Sequence, residues 1–313
     1  MSEKQNTSDV IVIGGGPAGL SAALWCAELG MNTVLFEKEA EFGGQLLQIH
    51  NRIENYIGIE TANGRELRGR FLESAAKWNF LRRLNADVTK VNAAEKTFTL
   101  KSGEQWFYSA LIIATGVRRQ KLGVAGEEEF RQKGIIDSGS KYRENAVGKT
   151  VVIVGGGDAA IENALILGEF AAKVFVVHRN TKFRARDEFL KIVKENPRIE
   201  LLVNNSVKKF DGGQQLESVI LEHSQTGEIR ILAADIALIR IGVQPNTEIV
   251  YGQIDLDNGR YILTDSICQT SIPNIFAIGD AANPISPTIS TAAGTGATAA
   301  KAALNWTTQS KNV

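Results

Sequence analysis

The sequence predicts an α/β fold in which one strand–turn–helix–strand unit is used twice, the second copy inside a segment inserted into the first domain. Three observations support this. A β-branched run at residues 10–13 enters a glycine-rich turn, then the helix-forming stretch SAALWCAEL, then a second strand at Thr33–Phe36. The same order recurs from residue 151, with a GGG turn, the helix IENALILGEF and the strand KVFVVHRN. The tail, from SIPNIFAIGD onward, returns to a buried strand and an Ala-rich helix.

Residues 10–13 are apolar throughout, the pattern of a parallel strand buried on both faces. Gly14, Gly16 and Gly19 then complete G-x-G-x-x-G, with Ala18 between the second and third glycines. Such glycines permit a tight turn, close approach of a diphosphate and packing of helix on strand. The helix N-terminus adds N–H groups and positive dipole. The second strand ends in Glu37, 23 residues after Gly14, where a carboxylate can hold ribose hydroxyls. An incidental glycine-rich turn would lack the strand, the helix and the acid. The unit is Rossmann-like and reads as a dinucleotide cradle.

The second copy carries Gly155, Gly157 and Ala160 as G-x-G-x-x-A, with Asp158 between the second glycine and the alanine. At the position matching Glu37 stands His178, followed by Arg179, and then Lys182 and Arg184 in HRNTKFRAR. A carboxylate suits a free 2′-hydroxyl, whereas cations accommodate a 2′-phosphate. The loop is either a solvated basic segment or an NADP-selective site; its place at the end of the second strand favours NADP over NAD. Two cradles imply two dinucleotides: a flavin that keeps electrons and a nicotinamide that brings them.

Between the copies, FGGQLLQIHNRIENYIGIE precedes a helix expected near 64–78 and strands running to 100. ALIIATGVRR reads as a strand ending at Gly116. Residues 119–244 form the insert, and ADIALIRIGVQPN reads as one strand leaving it, with a turn at Pro245 and Asn246. Residues 1–118 and 245–313 make the first domain, onto which the Ala-rich helix should fold back.

Composition is that of a globular protein, 43% apolar and 22% charged. The 35 basic and 35 acidic residues balance, so no overall field favours nucleic acid or an anionic membrane surface. The opening MSEKQNTSDV is expected to be neither a signal nor a transit peptide. No apolar run approaches the ~18 residues of a membrane span. Cys26 and Cys268 make no metal-ligand or C-x-x-C spacing, so no metal site is expected and a cytoplasmic setting is.

In order and spacing, GGGPAGLSAA, GGQL, IENYIG, ATGVRR, GEEEF, VGGGDAA, HRNTKFRA, IGVQPNTEI and TSIPNIFAIGD resemble the low-molecular-weight thioredoxin reductase family over nearly the whole chain. The resemblance implies a homodimer of two three-layer ββα domains, a discontinuous FAD domain enclosing an NADPH domain. It implies that Gly14, Gly16, Ala18, Gly19 and Glu37 hold the adenosine half of FAD. Gly44, Gln45 and Asn55 would lie along the flavin, Thr115, Gly116 and Gly279 would border the same site, and Asp280 would meet the ribityl chain. Gly155, Gly157, Asp158 and Ala160 would cradle NADPH, with His178 near its adenosine and Arg179 and Arg184 on its 2′-phosphate. The chain departs from the family at Asn180, usually Arg, and at Pro287 and Thr288, usually Arg-Gln.

The family's dithiol, C-A-T-C-D, falls on Ser138, Gly139, Ser140, Lys141 and Tyr142. A serine hydroxyl is not redox-active and lysine forms no disulfide, so no internal dithiol relay and no redox-catalytic side chain are expected. No cysteine pair follows GGQLLQIHN either. Cys26 reads as a core residue and Cys268 as a structural thiol. Lys141 and Tyr142 read as exposed loop residues or as groups facing the flavin, and His50 as packed, exposed or near the flavin. Trp25, Trp78, Trp106 and Trp306 read as core or dimer contacts.

The expected activity is NADPH oxidation through FAD to an external acceptor: ferredoxin, flavodoxin, a quinone or an external disulfide. Ferredoxin–NADP reductases built on this fold also lack the dithiol. The alternatives are a flavin-binding redox sensor or scaffold with little turnover, and an oxidase acting on small thiols or oxygen.

Overall fold

The apolar runs of the sequence become the central strands of two parallel sheets in the computed structural model, which describes residues 6–311. In chain order the first elements are β1 (Thr7–Ile13), α1 (Pro17–Glu28), β2 (Thr33–Phe36), α2 (Gly64–Ala75), β3 (Leu81–Arg83), β4 (Val88–Asn92), β5 (Thr97–Leu100), β6 (Gln105–Ile113) and β7 (Val117–Arg119). Next come β8 (Ile135–Ile136), β9 (Thr150–Val154), α3 (Asp158–Gly168), β10 (Lys173–Val177), α4 (Asp187–Glu195) and β11 (Ile199–Leu202). The remainder is β12 (Asn205–Gly212), β13 (Leu216–His223), β14 (Ile229–Ala233), β15 (Ile236–Ile239), β16 (Val243–Pro245), β17 (Ile275–Ala277) and α5 (Ile289–Lys311). The chain forms two compact units, one from Met1–Arg118 with Gln244–Val313, the other from Arg119–Val243.

In the first unit the parallel strands run β3-β2-β1-β6, with β17 beside the end of β6. The start of β6 instead pairs with antiparallel β5, and β5 with β4, so one long strand serves two layers. Helices α1 and α5 cover one face through Ala22, Ala23, Ala299 and Ala303, all fully buried. Small residues are required there, because a Cβ on Gly296 of α5 would stand 2.7 Å from the Ala18 carbonyl oxygen. On the other face Phe36 meets Phe98 and Trp106 edge-on, at 5.0 and 5.1 Å between ring centres. Each such ring removed from water contributes about 1.5–3 kcal/mol.

The second unit repeats the plan. Its parallel sheet runs β11-β10-β9-β15-β8. Helices α3 and α4 cover Val151 and Ile153, while the meander β12-β13-β14 covers Val152 and Val154 with Phe210, Val219 and Leu221. Both units are therefore three-layer ββα, as the sequence predicts.

Three expectations need correction. The strand placed through Gly116 stops at Ile113, because Ala114 must pass the first phosphate turn: a Cβ on Gly14 would lie 2.3 Å from the Ala114 oxygen. Gly116 turns the chain at φ +63 instead. The single strand leaving the insert is two, β15 and β16, broken where Gly242 adopts φ +113. The helix placed over 64–78 ends at Ala75, leaving Trp78 beyond it, part-buried against the core. No helix among the described residues is long and apolar enough to cross a membrane.

Candidate functional site

Gly14 leaves β1 at φ +108, and a Cβ on Gly19 would lie 1.8 Å from the Gly14 oxygen, so α1 starts in direct contact with the turn. Gly16 is different: its nearest foreign atom would be the Gly44 Cα at 3.9 Å, which leaves the turn's outer side open to a ligand. Glu37 is buried at the end of β2. Its Oε2 accepts from the Gly15 N–H at 2.7 Å and its Oε1 from the Glu39 N–H at 2.9 Å. Each oxygen keeps a further lone pair for a hydroxyl donor.

A cavity of about 140 Å³ adjoins this turn, bordered by Gly16, Ala18, Gln45, Gly279 and Asp280, and also by Pro287 and Thr288. Gln45 is oriented by donating to the Val117 oxygen at 2.8 Å. Burial pushes the Asp280 carboxyl above its ordinary value. Gly44 closes on Gly16, while Thr115 is held by the Asn246 oxygen at 2.7 Å, next to Gly116. Asn55 is exposed and does not border the cavity. The open turn at the head of α1, the spare acceptors of Glu37, and Gln45 and Asp280 set in an otherwise largely apolar cavity wall fit the groups of an FAD.

In the second unit a Cβ on Gly155 would lie 2.2 Å from the Arg240 oxygen, whereas one on Gly157 would meet nothing within 4 Å. Ala160 is fully buried beneath Gly155. A cavity of about 550 Å³ opens here, bordered by Gly157, Asp158, His178, Arg179, Asn180 and Arg184. Arg179 and Arg184 are exposed on it, and the Arg184 N–H is fixed to the Gly156 oxygen at 2.7 Å. Asp158 accepts from the Arg186 N–H at 2.8 Å and from its Nε at 3.0 Å, pinning the basic loop to the head of α3.

His178 is a part of that loop's scaffold. Its Nε2 lies 3.0 Å from the Lys182 oxygen, and its ring stacks on Phe183 at 5.0 Å and packs over Gly156. Burial holds the imidazole below its ordinary value, with Arg184 and Arg179 adding to the effect and the bond to Lys182 opposing it. The Lys182 side chain does not border the cavity; its carbonyl is what the loop uses. Two further cations do border it, Arg119 and Arg240. The charge that interrupts the apolar run ALIRIG is the sequence signal that marks Arg240.

At the end of β8 the turn carrying Ser138 is bonded internally. Ser138 is buried, its Oγ 3.1 Å from the Ser140 Oγ, and the Gly139 N–H donates to Asn163 Oδ1 at 3.0 Å. The Lys141 ammonium sits over the Tyr142 ring at 4.8 Å. Cys26 and Cys268 are both buried; burial pushes the Cys26 thiol up to about 12 and, with Asp265 adding, the Cys268 thiol up to about 11. No cluster that could hold a metal ion occurs among the described residues.

Residues 8–297 match the model of a family described as pyridine nucleotide-disulphide oxidoreductase. A thioredoxin reductase of Spironucleus barkhanus is 34% identical over 95% of this chain and 98% of its own length. Another, from Mycolicibacterium smegmatis, is 33% identical over 98% of each. Among solved structures, Lactococcus lactis thioredoxin reductase superposes with a TM-score of 0.84 at 31% identity, covering 96% of this chain and 99% of that one. Thioredoxin reductases use FAD and NADPH. On this evidence the chain belongs to the pyridine nucleotide-disulphide oxidoreductases, as a thioredoxin reductase-like flavoprotein.

Proposed function

We propose that the chain is an FAD-dependent NADPH oxidoreductase that hands electrons from flavin straight to an external acceptor, with no dithiol of its own in between. When bound, NADPH supplies two electrons as hydride and FAD stores them for release one or two at a time. The residues do the holding. The head of α1 and Glu37 bind the adenosine half of FAD, and Gln45 and Asp280 flank its other half. The head of α3 takes the NADPH diphosphate, and Arg179 and Arg184 take the 2′-phosphate.

One observation carries the reading: the turn at Ser138 holds hydroxyls and an ammonium, while both thiols are buried elsewhere and kept protonated. A buried thiol with so high a proton affinity is a poor nucleophile and a poor redox partner. The acceptor is then a ferredoxin, a flavodoxin, a quinone or an external disulfide, and a homodimer is the expected assembly. Anaerobic mixing with NADPH tests the first step. Bleaching of the flavin within seconds is expected, and a flavin that stays oxidised contradicts the reading.

A further inference from the structure

Arg119 on β7 and Arg240 just after β15 face the same cavity as the second phosphate turn. Arg240 donates to the Asp137 oxygen at 2.7 Å and the Ile239 oxygen at 3.0 Å, which lays its guanidinium over the ends of β15 and β8. Arg119 donates no side-chain hydrogen bond to a described residue. Asp137 acts on both guanidiniums, so two positive charges face one negative. Burial first, then repulsion by Arg119, brings Arg240 down to about 10. Like charges held together in a cavity wall oppose folding, so a binding role is the natural reason to keep them.

Strand order says which part of the nucleotide they meet. The diphosphate belongs at Gly157 and the head of α3, and the phosphorylated ribose at Arg179 and Arg184 beyond β10. The nicotinamide half must then run the other way, over β15 and β8. That ring is neutral in NADPH and carries one positive charge in NADP⁺. Both forms bear the same phosphates, so attraction of phosphate to arginine cancels from the ratio of their affinities. Repulsion of the charged ring does not cancel.

We infer that Arg119 and Arg240 sense the charge of the nicotinamide ring, making this site hold NADPH more tightly than NADP⁺ and expel the spent nucleotide. The inference rests on the NADPH reading of the cavity given above.

The test is calorimetric titration of the FAD-loaded protein with NADP⁺ and with tetrahydro-NADP, whose ring is neutral and unreactive. The unmodified chain should prefer the neutral form by roughly tenfold at low salt, the order expected for one net charge at close range in a partly hydrated cavity. Added salt should narrow that gap. In the double variant Arg119→Gln with Arg240→Gln, NADP⁺ should tighten several-fold toward equality while the neutral form barely moves. Arg240→Lys should keep the preference, and Asp137→Asn, which unmasks charge, should widen it. Equal weakening of both ligands in the double variant would show the arginines gripping phosphate and overturn the inference; an unchanged ratio would overturn it too. Binding of neither ligand to the unmodified chain would remove the NADPH reading itself, and the inference with it.

Discussion

The Glu37 carboxylate accepts the Gly15 N–H at 2.7 Å, tying the end of β2 to the middle of the first phosphate turn. Replacing Glu37 by Ala leaves a buried donor without an acceptor, which costs about 1–3 kcal/mol, and removes the group assigned to the FAD ribose. The Glu37→Ala protein should purify with less than one FAD per chain and melt at a lower temperature. The ratio of flavin to protein absorbance reads the first effect, and full FAD occupancy would contradict the ribose role.

Glycines in the second turn should separate folding from binding. Gly157→Ala adds a methyl where nothing lies within 4 Å, so the melting temperature should hold while NADPH affinity falls about tenfold or more. Gly155→Ala forces a Cβ to within 2.2 Å of the Arg240 oxygen at φ +153, and should destabilise the second unit by about 2 kcal/mol or more. Thermal melting and nucleotide titration, run on both variants, check the contrast.

Arg179 and Arg184 border the cavity and are proposed to give it a preference for a 2′-phosphate. Changing both to Gln should lower NADPH affinity by roughly 10- to 100-fold, as charge-assisted bonds to phosphate are lost, and leave NADH binding nearly unaffected. Comparing the two dissociation constants measures it. An equal loss for both nucleotides would place these side chains elsewhere on the ligand.

Burial raises the Asp280 carboxyl above its unfolded value near 3.8. A carboxyl raised on folding binds its proton more tightly in the native state, so its contribution to stability is highest at low pH. That contribution falls as pH rises through the raised native value. The FAD-free Asp280→Asn protein should therefore outlast the unmodified FAD-free chain at neutral pH, with the advantage shrinking as pH drops toward 4. Melting curves across that range check the sign.

Much of the architecture is legible in the sequence. The runs at residues 10–13 and 151–154 had only one place to go, since strands apolar on both faces need layers on both sides. The glycine spacings located both turns, and Glu37 and Arg179 fell where each second strand ends. What escaped depends on contacts distant in sequence. The strand into Gly116 is cut short where Ala114 passes the backbone of Gly14, distant in sequence but adjacent in space. His178, expected near the adenosine, borders the cavity; its part in bracing the loop, through Phe183 and the Lys182 carbonyl, could not be read from the sequence. Asn55, placed along the flavin by the resemblance, is exposed and is not among the residues bordering the cavity. Arg240 was visible only as a charge in an apolar strand, and its proximity to Arg119 required the fold.

The most direct measurement is steady-state NADPH oxidation, with ferricyanide as acceptor, by the FAD-loaded double variant Cys26→Ala with Cys268→Ala. Both thiols lie in packed cores, so the variant should lose stability, by about 1–2 kcal/mol for Cys26. Its turnover under conditions where it stays folded should nonetheless equal that of the unmodified chain if, as proposed, no sulfur of this chain carries electrons. Catalytic reduction of thioredoxin by the unmodified chain, abolished in the double variant while FAD and fold are retained, would contradict the account.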